Sequence, residues 1–151
     1  MGVLYTVLPL SEDVSAWLDE IGVPYAYGPV PSRNPTVREL RDALSSMPEV
    51  RVQFDEPVVG RAWGALLDVV SSAEAGLWTQ LNALSYQGDD QPHEFHFEKG
   101  WPQLILRALK CISAVTGPLV LIPDTGSDPL VVSADLDVEY SLSTWEHTRV
   151  P

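Results

Sequence analysis

Apolar residues open the chain over 2–8, a β-rich run that Pro9 closes. Ser11 then has the chemistry of an N-cap, Glu12 and Asp13 suit the positive end of a helix dipole, and Val14, Trp17, Leu18 and Ile21 recur at helical spacing until Gly22. The segment 23–35, with four prolines, reads as a long extended loop. Asn34 and Pro35 are expected to cap and begin a second helix that buries Val37, Leu40 and Leu44 and stops before Pro48. At Val50, Val52 and Phe54 the period drops to two, which predicts a half-buried strand. Residues 63–70 and 77–86 follow as expected strands, although Leu77, Leu81 and Leu84 also fit one face of a helix.

The most regular stretch is 93–122. A strand over 93–97 leads through Gly100, Trp101 and Pro102 into an apolar stripe of Trp101, Leu104, Ile105, Ala108, Leu109, Ile112 and Val115. Gly117 and Pro118 end that helix, and 119–122 follows as a buried strand. This strand-helix-strand unit is expected to cross over right-handed if its strands are parallel neighbours. Residues 130–132 add a short strand, and the alternation of Leu136, Val138, Tyr140 and Leu142 favours a strand or an extended lid. The sum is one α+β domain over 1–151, with a mixed or largely antiparallel sheet and about three helices.

Charge changes this picture most. Asp and Glu number 21 against 9 Lys and Arg, a formal charge of −12. Six carboxylates fall between Ile112 and Thr148 with no Lys or Arg, and four more stand unopposed before Arg33. Such a field repels nucleic acid and attracts basic partners, and five Trp and five Tyr supply residue types favoured as interface anchors. No apolar run approaches the roughly 20 residues of a membrane span, and Cys111 is alone, so a cytoplasmic protein without membrane contact or disulfide is expected.

Candidate chemistry is sparse. Asp124-Thr125-Gly126 after an apolar strand resembles the catalytic loop of aspartic proteases, in which the Asp of two copies activates water, and Val58-Val59-Gly60-Arg61 looks like that family's supporting strand. The order of the two segments is reversed here, and the same residues are ordinary turn formers. Glu94, His96 and Glu98 would project from one face of a strand, but spread over roughly 13 Å they cannot converge on one metal ion. His93 is expected at the surface. No phosphate-binding glycine loop, dinucleotide fingerprint or seryl elbow occurs, so no cofactor, metal or catalytic set is expected.

The segment Phe95-His96-Phe97-Glu98-Lys99-Gly100-Trp101-Pro102, the helix after it, and Gly117-Pro118-Leu119-Val120-Leu121-Ile122-Pro123-Asp124-Thr125-Gly126 resemble small acidic bacterial immunity proteins over roughly residues 60–132. That resemblance implies a cytoplasmic inhibitor that occludes a basic toxin domain and catalyses nothing. A structural or scaffold subunit that self-associates through an exposed sheet edge, as a homodimer, is the first alternative, and an aspartic-protease-like hydrolase using Asp124 the second. The expected contact patch is Tyr86, Asp89, Asp90, Glu94 and Glu98, joined by Asp124 and Asp128 if Phe95 and Leu121 lie in neighbouring strands. Exposed loop charges at Asp89 and Asp90 would contribute little to folding.

Overall fold

The computed structural model describes residues 3–23, 25, 31–71 and 76–148, with 145–148 described by backbone alone. Gly2 and residues 24 and 26–30 of the expected loop over 23–35 lie outside the described residues. Among the described residues seven strands are seen: β1 (Leu4–Pro9), β2 (Val50–Phe54), β3 (Trp63–Val69), β4 (Trp78–Ala83), β5 (Phe95–Gly100), β6 (Leu119–Pro123) and β7 (Leu130–Val132). They form one sheet in the order β2-β3-β4-β5-β1-β6-β7, and every pairing is antiparallel. Among the described residues four helices accompany it: α1 (Glu12–Ile21), α2 (Val37–Ser45), α3 (Pro102–Thr116) and α4 (Val138–Thr148). This corrects the expected mixed or largely antiparallel sheet with about three helices.

Two features produce that difference. The strand-helix-strand unit exists as β5-α3-β6, but Val7 of β1 pairs with both Phe95 and Leu121, so β1 lies between the two strands. They run parallel to one another without being neighbours, because periodicity carries no information about a strand inserted from 90 residues away. The second feature is the fourth helix, α4, where a strand or lid was expected. Asp137 caps it by accepting from the Tyr140 amide at 3.0 Å, Val138 and Leu142 pack on the core at an i, i+4 spacing, and Tyr140 is 70% exposed.

Segment 77–86 resolves as β4, since Leu81 is buried while Leu84 stands out in solvent. Helix α2 begins two residues beyond the expected cap. Thr36 accepts from the Glu39 amide at 3.1 Å while Glu39 accepts from the Thr36 amide at 3.0 Å, a reciprocal pair that Asn34 could not form. Ser11 and Gly22 cap α1 as expected, with Gly22 left-handed at φ 77°. Of the expected α1 stripe, only Leu18 is fully buried, and Trp17 and Ile21 are exposed.

The alternation of each strand sorts the sheet into two faces. Tyr5, Val7, Trp63, Ala65, Leu67, Leu81, Phe95, Phe97, Leu119 and Leu121 meet α2 and α3 in the main core. Leu18 of α1 packs with Leu10, Val23, Val120 and Val131 on the opposite face, over β6 and β7. No described element covers the rest of that second face, from β1 across β5, β4 and β3 to β2.

Glu39 also receives Arg33, at 2.6 and 2.7 Å, and these hydrogen bonds hold its carboxyl down to about 2 against the opposing effect of burial. Because the folded value lies below the ordinary one, the unfolded chain binds the proton more readily. The stabilisation is therefore whole above about pH 5 and is lost as pH falls towards 2. With Arg33 half exposed it amounts to about 1 to 2 kcal/mol. Glu39→Gln is expected to lower stability by that amount at pH 7 and to flatten the fall between pH 5 and 2, read from denaturant unfolding at each pH.

Candidate functional site

On the uncovered face, residues from adjacent strands line up in rows. One row runs Ile122, Thr6, His96, Asn82, Gly64; the next runs Leu4, Glu98, Gln80, Leu66, Gln53. His96 stands at the centre of the first, and its Nε2 lies 3.1 Å from Oε1 of Glu98, with the imidazole mostly covered and the carboxylate 46% exposed. A Cβ on Gly64 would fall 2.5 Å from Oδ1 of Asn82, so this glycine makes room for the amide beside His96.

A groove of about 640 Å³ opens over β1 and β5, lined by Leu4, Thr6, Leu8, Leu84, Glu94, His96 and Glu98. Its charged groups are carboxylates, while Leu4, Leu66, Trp78 and Leu84 give the same face exposed apolar area. The face also carries Arg51, 3.0 Å from Asp68 and thus paired within the fold. Glu94, His96 and Glu98 share a face as their spacing predicted, and no three His, Cys, Asp or Glu are placed to hold a metal ion among the described residues.

The other expected patch residues separate. Asp89 is half-buried against α2, accepting from Arg41 at 2.7 Å and from the Tyr86 hydroxyl at 2.5 Å, and both donors hold its carboxyl below the usual range. Asp90 meets Arg38 at 2.8 Å. Both loop acids are thus engaged by cations of this chain. Tyr86 is only 8% exposed and belongs to the main core, where it stacks on His93. His93 is buried, not at the surface. Its Nε2 accepts from the Gln87 amide at 2.9 Å, so the proton sits on Nδ1 and is donated to the Gln91 carbonyl at 2.6 Å.

Asp124 lies in an exposed turn, and its amide donates to the Leu4 carbonyl at 2.9 Å. Leu4 pairs with Glu98, so Asp124 and Glu98 flank β1, with their strands roughly 10 Å apart. Asp128 is exposed in the loop that follows this turn. Val58-Val59-Gly60-Arg61 forms an exposed turn, not a strand beneath the Asp-Thr-Gly loop.

The engagement of Asp89 reverses, for that residue, the expectation that the charges of this loop contribute little to folding. Asp89→Ala strands the Tyr86 hydroxyl and removes the ionic partner of Arg41, which lies 5.5 Å over the Trp63 ring. A loss of about 1 to 3 kcal/mol is expected in urea unfolding. Asp90→Ala, at an exposed pair, should cost about 0.5 kcal/mol or less.

Among the described residues no helix is long and apolar enough to cross a membrane. Set against protein-family models, curated proteins and solved structures, the chain matches none.

Proposed function

We propose that this chain is an acidic binding module of the immunity kind, which uses the uncovered sheet face to occlude a basic protein such as a toxin domain. The observation that carries the reading is the composition of that face: exposed Leu4, Leu66, Trp78 and Leu84 beside a groove whose charged groups are Glu94 and Glu98. Exposed apolar area of this kind marks contact surfaces, and carboxylates beside it select a partner with Lys or Arg at its centre. The net charge of −12 steers that partner in from solution. Occlusion needs no reaction at the site, and neither a cofactor nor a nucleic acid enters the reading.

The test is calorimetric titration with a basic toxin domain, together with stopped-flow association at low and high salt. The reading expects a one-to-one complex whose association slows steeply as salt rises. No complex, or an association rate indifferent to salt, contradicts it.

A further inference from the structure

Strand β2 ends the sheet, and its hydrogen-bonding pattern leaves one set of backbone groups unused. The Asp55 amide donates to the Gly64 carbonyl and the Val70 amide to the Glu49 carbonyl, so residues 49, 51, 53 and 55 face β3. The amides and carbonyls of Val50, Val52 and Phe54 therefore point outward, where no described strand meets them. Their side chains are only half-buried on the helix-bearing face, since the apolar layer stops there.

We propose that β2 pairs antiparallel with β2 of a second copy of this chain, about a twofold axis at Val52. That register joins Val52 to Val52 of the second copy and Val50 to Phe54 of the second copy, and it satisfies all three outward amides and all three outward carbonyls. On the helix-bearing face small and large apolar side chains meet. On the other face Arg51 meets Gln53 of the second copy, so no like charges oppose one another within the strand. Glu49, left-handed at φ 60°, and Pro57 confine the pairing to these five residues. The two sheets become one of fourteen strands, with the edge protected.

Two chains of charge −12 repel, so this association tightens with salt, opposite in sign to the capture of a basic partner. The two readings thus fail separately. Sedimentation velocity over increasing concentration is expected to show a mass that doubles, with the dimer about threefold or more tighter in 0.5 M than in 0.02 M NaCl. Val52→Pro removes an outward amide and no bond to β3, so it should give a folded monomer by circular dichroism. Amide exchange on the unmodified protein gives a second readout: Val50, Val52 and Phe54 should slow as concentration rises, while Arg51 and Gln53 do not change. A monomer at every concentration, a dimer that survives Val52→Pro, or exchange at Val50, Val52 and Phe54 indifferent to concentration would overturn the proposal.

Discussion

Gly100→Ala is expected to be severely destabilising, costing about 4 kcal/mol or more. Gly100 ends β5 with φ at 99°, a region that L side chains rarely adopt, and an added Cβ would lie 2.3 Å from the Trp78 carbonyl oxygen and 2.6 Å from the Thr79 Cα. Both obstacles are backbone of the neighbouring strand, which cannot swing aside as a side chain would. The ladder must then open at the β4–β5 register shift, and β5 carries Glu98 and His96 to the groove. Gly126→Ala is the control, since its φ of 84° is similar but nothing lies within 4 Å. It should cost about 1 kcal/mol, the conformational penalty alone, and urea unfolding of the two variants separates collision from strain.

Glu94→Lys with Glu98→Lys is expected to weaken capture of a basic partner at least about a hundredfold, or 2.7 kcal/mol, because it replaces two attractions with two repulsions at the centre of the face. Stability should move by about 1 kcal/mol or less. Glu94 is exposed, and Glu98 makes a single partly exposed contact with His96. The same reversal on α1, Asp13→Lys with Asp19→Lys, changes net charge equally but lies away from the groove lining. It should slow association modestly and leave the dissociation rate alone. Equal losses from the two pairs would mean that only the total charge matters.

Local features of the fold are legible in the sequence, and long-range ones are not. Ser11 and Gly22 mark α1, the alternation through Val50, Val52 and Phe54 marks β2, and the stripe from Leu104 to Ile112 marks α3, each because the signal lies within a few residues. The insertion of β1 between β5 and β6 is set by tertiary pairing. It moved Asp124 one strand further from Glu98 than neighbouring strands would place it. In the tail, Val138 and Leu142 satisfy period two and an i, i+4 helix equally well, and the decision falls to the Asp137 cap and the core contact. The candidate site was half legible. The alternation of Glu94, His96 and Glu98 put them on one face, but charge alone could not show that Arg38 and Arg41 of α2 engage Asp90 and Asp89. Gly64 beside Asn82 had no sequence signal beyond a glycine in a strand.

A basic partner is expected to bind the uncovered sheet face and not the helix layer. Methyl NMR spectra of the protein with and without a saturating amount of a basic toxin domain distinguish the two surfaces. Leu4, Leu66 and Leu84, all exposed on that face, should shift and broaden, while exposed Val115 on α3 stays where it was. Perturbation centred on Val115 and the helix layer, with Leu4, Leu66 and Leu84 unchanged, would contradict it.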